Sequence, residues 1–398
     1  MITSTDYLTK DNQLIFIKIR RALFLSFLTL GFIMASWIVR TPSIRDILDA
    51  STMEMGFILF GFSIGSMGGI ICVNKLIVKT GADFAVSLGL ALGVSGLIVL
   101  ALGSYMQSLL IITLGLGLIG TGVAISEVAV NFLGSHVEQK LNTPVLTLIH
   151  ACFSLGTVIG AIWGIFLQSM DVKFFHHMII TFIFLVPLVI FISSQVYNAP
   201  GSKVNVESNK KNFFEVIYRD PRLLIIGFIV LAVALAEGTA NDWLPLLIVD
   251  THKVPEQFGT LIYIVFALTM TVGRVLGTKF LQNFSVSKVM RFSSILGAAG
   301  ILILVFSNNI YITGFAVILW GIGASLGFPI AMSAGAGTGS DSAIRISILA
   351  TIGYTAFLIG PPLLGFVGEH IGLRMMMLII FILLFIPIIF SKSLLNKK

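Results

Sequence analysis

The 398 residues are 57% hydrophobic and 11% charged, with a mean hydropathy of +1.02, which excludes an ordinary soluble domain. The net charge of +7 does not signal nucleic acid, because the basic residues lie beside apolar runs and form no basic helical face. Cys72 and Cys152 both fall inside apolar runs and support neither a disulfide framework nor a metal site.

A helix needs about 20 mostly apolar residues to cross a bilayer core of about 30 Å. Runs of that length are predicted at 21–40, 54–74, 82–103, 108–130, 144–168 and 174–195. No cleavable signal peptide is expected, since the first run follows Lys18, Arg20 and Arg21 and exceeds a signal core in length. The polar stretch 196–221, with Lys203, Glu207, Lys210, Lys211 and Glu215, reads as a linker with a short amphipathic helix around Phe213–Tyr218. Six more runs follow at 222–248, 256–279, 288–307, 310–334, 342–368 and 372–391. The run Gly335-Ala-Gly-Thr-Gly-Ser340 reads as a flexible turn after the tenth. The expected architecture is an all-α polytopic membrane protein of 12 transmembrane helices. It comprises a six-helix bundle at 1–195, a cytoplasmic linker at 196–221 and a pseudo-symmetric second bundle at 222–398.

Lys and Arg in short loops set the orientation. With the N-terminus inside, the inner side holds Lys10, Lys18, Arg20, Arg21, Lys75, Lys79, Lys140, the linker cluster, Lys279, Lys288, Arg291, Lys392, Lys397 and Lys398. The outer side holds Arg40, Arg45, Lys173, Lys253 and Arg374. A multi-pass protein of the inner (plasma) membrane with both termini cytoplasmic is expected. The halves also echo each other. Gly65-x-x-x-Gly69 and Gly273-Arg-x-x-Gly277 stand 208 residues apart, and Phe153-Ser-Leu-Gly156 and Phe357-Leu-Ile-Gly360 stand 204 apart. A repeat of that size is typical of secondary transporters, which bind substrate between the repeats near the midplane.

With these features the chain resembles the major facilitator superfamily of transporters over nearly its whole length. Gly273-Arg-x-x-Gly277-x-Lys279-x-x-x-Asn283 resembles the family's signature loop, while its counterpart at Asn74-Lys75 and Lys79-Thr-Gly81 is degenerate. Met34-Ala-Ser-Trp37-Ile-Val-Arg40-Thr-Pro42, Glu237-Gly-Thr-Ala-Asn-Asp242-Trp243, His150-Ala-Cys-Phe-Ser-Leu-Gly156 and Gly360-Pro361-Pro362-Leu-Leu-Gly365 are similar to the YbjJ-like branch, related to the fucose permease group. Glu127-Val-Ala-Val-Asn131-Phe132 is similar to a fucose permease segment whose Glu serves proton coupling. The acid that permease carries on its first helix has no counterpart, because Ser36–Val39 is uncharged. The resemblance implies the two-bundle fold and a monomer.

Ionisable groups inside a bilayer are costly, which makes each a functional candidate. Glu127, Glu237, Asp242 and His150 are the proton-coupling candidates. The alternatives are structural pairing for Glu127, an outer-gate ion pair for Asp242 and helix packing for His150. Trp37, Trp243, Asn131, Asn241, Tyr263 and Tyr354 are candidates for a hydroxylated substrate, with an interfacial belt as the alternative for the tryptophans. Arg40, Arg274, Arg345 and Lys279 are gating candidates. Arg40 either snorkels or closes an outer gate with Asp242, and Arg274 and Arg345 either latch or touch substrate. Gly360-Pro361-Pro362 reads as a bend for rocking, or as helix packing.

The function these residues imply is secondary active transport of a small polar solute, a sugar or related metabolite, coupled to protons or to sodium. Efflux of drugs or amphipathic metabolites is the alternative, and Gly156-Thr-Val-Ile-Gly160-Ala-Ile-Trp-Gly164 lacks the proline of drug-antiporter motifs. A non-transporting sensor is a third reading. No phosphate-binding loop, zinc-type His cluster or nucleophile elbow stands in a supporting context, so neither an enzyme nor a cofactor is expected. The partners implied are a small molecule, a proton or sodium ion and the lipid bilayer.

Overall fold

The computed structural model describes residues 10–141, 143, 145–202, 216–217, 220–336 and 342–395, and among these the regular structure is helical. The first half contains α1 (Lys10–Ile38), the short α2 (Thr41–Leu48), α3 (Thr52–Thr80), α4 (Ala82–Tyr105), α5 (Leu109–Leu141), α6 (Leu146–Ser169) and α7 (Phe174–Val196). The second contains α8 (Arg222–His252), α9 (Glu256–Asn283), α10 (Val286–Phe306), α11 (Ile310–Ala324), α12 (Gly327–Ala336), α13 (Ser342–Ile371), α14 (Leu373–Leu383) and α15 (Phe385–Phe390). Twelve stretches of these helices are long and apolar enough to span a membrane, with α11–α12 acting together as one span and α14–α15, with the turn after them, as another. Of the predicted linker helix only Val216 and Ile217 are described, and they are helical. The other predicted linker charges, and most of the glycine run after the tenth span, lie outside the described residues.

The helices outrun the apolar runs that predict them, because their polar ends continue the backbone ladder beyond the bilayer. The 33 residues of α5 extend through His136, Glu138 and Lys140, about 50 Å in all. Helix α2 was not expected: Pro42 in its first turn pre-sets the backbone, and Asp49 closes it in the left-handed conformation at φ 49°. Ser51 and Glu54 then form a capping box that starts α3.

Burial ranks the helices. The spans in α1 and α8 are 72% buried and α7 is 28% buried, the extremes of the twelve, so α1 and α8 are central and α7 faces lipid. Large apolar side chains such as Phe184, Ile190, Phe292 and Phe306 are more than half exposed, as a hydrocarbon solvent permits. The repeat is visible at the centre, where Trp37 on α1 and Trp243 on α8 stand 206 residues apart.

The end of the molecule where α7 leaves and α8 enters is called the linker end, and the opposite one the far end. The halves meet along two seams, α3 against α13 and α6 against α9. At the far end of the first seam the backbones nearly touch. A Cβ on Gly56 would lie 2.7 Å from the Pro361 carbonyl, and one on Gly365 would lie 2.8 Å from the Gly56 Cα, so only glycine fits at either place. One apolar core runs through both halves there. At the linker end the second half has a separate core around Leu223, Ile226, Val230, Met290 and Leu349.

Candidate functional site

Polar side chains join the halves at the far end. Arg40, the residue after Val39 at the end of α1, is 4% exposed. Its Nη1 donates to Oε2 of Glu256 at 3.1 Å, its Nη2 to the Val172 carbonyl at 2.6 Å, and its Nε to Nδ1 of His177 at 3.0 Å. Ser43 on α2 donates to the same carboxylate. Glu256 opens α9, where a negative charge also meets the helix dipole favourably. Because Arg40 donates to Nδ1, His177 bears its proton on Nε2, which is buried without a partner among the described residues. Arg45 on α2 pairs with Asp250 near the end of α8.

Burial pushes the Arg40 guanidinium below its ordinary pKa, with the Glu256 carboxylate opposing that shift. For Arg45 burial also acts downward, but the hydrogen bonds and charges of Asp250 and Asp46 outweigh it and the pKa rises. Behind the ion pairs, Gln168 at the end of α6 accepts from Thr260 Oγ1 at 2.9 Å. Its own amide donates to the Val39 carbonyl at 3.2 Å, and Gln257 donates to its backbone carbonyl at 3.1 Å. Outside this layer lies a vestibule of about 650 Å³, lined among others by Ser43, Lys173 and Gln257. The deepest bond between the halves in this series joins Ser63 on α3 to the Phe357 carbonyl on α13, at 2.6 Å.

Below that layer lie most of the ionisable residues singled out in the spans. Glu237 on α8 accepts from Arg274 Nη2 at 2.8 Å, and Arg274 Nε reaches the Ser325 carbonyl at 3.3 Å, where α11 breaks before α12. Five residues on, Asp242 is half-buried and has neither hydrogen bond nor ion pair among the described residues. Tyr263 on α9 is buried, donates to Asn241 Oδ1 at 3.1 Å, and lies within electrostatic range of Glu237 and Asp242. In the first half, Glu127 on α5 is likewise half-buried and unpaired among the described residues, with Asn131 one turn along the same face. Across the interface Tyr354 on α13 lies within electrostatic range of Glu127, and His150 on α6 within range of Arg274. Among the described residues, the arrangement places one unpaired carboxyl within the spans of each half, with Tyr263 and Asn241 near one and Asn131 and Tyr354 near the other.

The remaining predicted residues are placed differently. Trp37 packs on Phe62 with ring centroids 5.6 Å apart, and Trp243 is equally buried. Both indole nitrogens lack a partner among the described residues, and neither ring presents a face to a cavity in this state. Arg40 closes against Glu256, not against Asp242. Arg274 and Arg345 do not bridge the halves: Arg274 ties α8 to the α11–α12 break, and Arg345 ties α13 to Asp220 at 2.7 Å and to the Gly335 carbonyl. Lys279 is exposed and has no ion pair among the described residues.

The family model of the Major Facilitator Superfamily matches residues 23–340, most of the chain. The chain belongs to the major facilitator superfamily. Within it, the chain is similar to the uncharacterized transporter y4wD of Sinorhizobium fredii, 23% identical over 355 residues, which cover 89% of this chain and 92% of the relative. Its fold is similar to that of the nucleoside transporter NupG, with a TM-score of 0.75, 15% identity and 96% and 100% of the two chains covered. It is also similar to the fucose:proton symporter FucP of E. coli, with a TM-score of 0.63, 17% identity and the same coverage. The two-bundle fold of the superfamily and a transporter of its type are therefore established, and its members are transporters and not enzymes.

Superfamily membership does not point to the far-end layer. Glu256, Asp250, Arg45, Gln168, Thr260 and His177 sit at helix ends, where sequence alone reads them as loop polarity. The available signal is a cluster of both signs, Arg40, Arg45, Asp250 and Glu256, in loops that orientation places on one side of the membrane.

Proposed function

We propose that this transporter moves a small neutral, hydroxyl-bearing solute, of the sugar or nucleoside class, together with a proton by alternating access. The observation that supports this most directly is the pair of unpaired, half-buried carboxyls, Glu127 and Asp242, one on each side of the interface between the halves. An ionised carboxylate without a partner is expensive in such a place, so each of these acids is suited to bind a proton and release it as the halves move. Tyr263, Asn241, Asn131 and Tyr354 supply neutral hydrogen-bonding groups beside them, which suits hydroxyls better than charged substituents. The kinship in fold with a nucleoside transporter and a fucose:proton symporter agrees with that chemistry.

With the linker end cytoplasmic, as the distribution of Lys and Arg favours, the end closed in this structure is the outer one. The far-end ion pairs and the α3–α13 seam close the outer side. The solute and proton leave through the linker end, and breaking the far-end layer resets the site to the outside.

The test is uptake into proteoliposomes of pooled labelled sugars and nucleosides, with and without an inward proton gradient, for wild type and Glu127→Gln. Gradient-driven accumulation in wild type and its loss in the variant support the reading. No movement of any pool under either gradient direction rejects the solute class, and equal accumulation in the variant rejects Glu127 as the proton carrier.

A further inference from the structure

Many hydroxyls in these spans bond back to the carbonyl four residues earlier in their own helix, as Ser26, Ser36, Thr239 and Thr271 do. Ser63 does not. It is 6% exposed, about 17 Å along α3 from the far end, and its hydroxyl leaves its own half to donate to the Phe357 carbonyl at 2.6 Å. The acceptor is a particular one. In an α-helix the Phe357 carbonyl would accept from the amide of residue 361, and residue 361 is proline, which has no N–H. The carbonyl is thus vacated by Pro361 and filled from the opposite half. Around it Gly56, Pro361, Pro362 and Gly365 bring α3 and α13 close enough for the bond to form.

We infer that Pro361 and Ser63 together form a state-specific latch: the proline exposes a backbone acceptor on α13, and Ser63 occupies it only while the far end is closed. This goes beyond a bending role for the Pro361-Pro362 pair and rests on the alternating-access reading above. When the far end opens, Ser63 is free to bond back to its own helix, so its hydroxyl keeps a partner. The Phe357 carbonyl has no such local alternative from residue 361. The latch therefore favours the far-end-closed state by about one net hydrogen bond.

The experiment reads conformation and not transport, so that its failure is distinct from failure of the proposed function. Spin labels are placed at Tyr105→Cys and Tyr311→Cys, which are exposed at the far ends of α4 and α11 in opposite halves, in a background with Cys72 and Cys152 replaced by serine. Distance distributions are recorded in nanodiscs. Ser63→Ala is expected to raise the separated population relative to the closed one by about three- to tenfold, and Ser63→Thr to restore the wild-type ratio. Pro361→Ala, which gives the Phe357 carbonyl a helical donor, is expected to shift the ratio the same way. In that background Ser63→Ala is expected to add little. An unchanged ratio in Ser63→Ala overturns the latch. So do effects of the two substitutions that simply add, since that is what plain packing loss at two neighbouring sites would give. If Ser63→Ala folds poorly, Pro361→Ala alone decides: no shift toward separation overturns the proposal. A single unchanging distance in every variant, at both acidic and neutral pH, would instead count against alternating access itself.

Discussion

The two ends of the molecule handle charge in opposite ways. At the far end, cations of the first half meet anions of the second: Arg40 with Glu256 and Arg45 with Asp250. At the linker end and in the centre, the second half pairs its charges internally, Arg345 with Asp220 and Arg274 with Glu237. On the alternating-access reading proposed above, the first kind of pair would break as the far end opens, whereas the second would travel with its own half. On that reading, charge pairing across the interface would set which state is occupied, and pairing within a half would set how rigid that half is.

This contrast can be tested at several strengths. The centre gives the largest effect: Glu127→Gln, which changes no pairing at either end, should reduce proton-driven uptake to background while counterflow exchange persists. Arg40→Ala should come next. It leaves Glu256 with Ser43 alone, removes the partner of the His177 ring, and should lower stability by about 3 kcal/mol, the low end for a broken buried pair, as read by thermal unfolding in detergent. Glu256→Gln keeps a hydrogen-bonding partner for Ser43 and should cost less, about 1–2 kcal/mol, while speeding thiol labelling of a far-end reporter cysteine. Arg345→Ala, in a partly exposed pair at the linker end, should lower stability by no more than about 1 kcal/mol and leave the labelling rate unchanged. Lys279→Ala should stay within about 0.5 kcal/mol of wild type. If Arg345→Ala shifts labelling as strongly as Glu256→Gln, the distinction between the two ends is wrong.

The spans were legible because each is a long apolar run, and nothing but a helix satisfies the backbone of such a run in lipid. Candidate site residues were legible where a charge interrupts a run, as at Glu127, Glu237 and Asp242. Partners were harder to read. Asp242 lies ten residues, about 15 Å, inside the far end of α8, whereas the carboxylate that meets Arg40 is Glu256 at the start of α9. Arg274 belongs to a loop signature that suggests a latch. The break at Ser325 that gives it a second partner is marked by Pro329, four residues on, whose missing N–H frees the Ser325 carbonyl, but the apolar stretch around it reads as one continuous span. Ser63 was invisible for a different reason: its significance depends on a proline almost three hundred residues away.

The glycine contact between α3 and α13 has a practical side. Since neither Gly56 nor Gly365 has room for even one methyl group while the far end is shut, an alanine at either position acts as a wedge driven into a hinge. Such a chain should rest with its far end ajar, without any ligand or antibody to hold it there. The smallest side-chain addition available thus offers a way to trap and image the half of the transport cycle that the closed form hides.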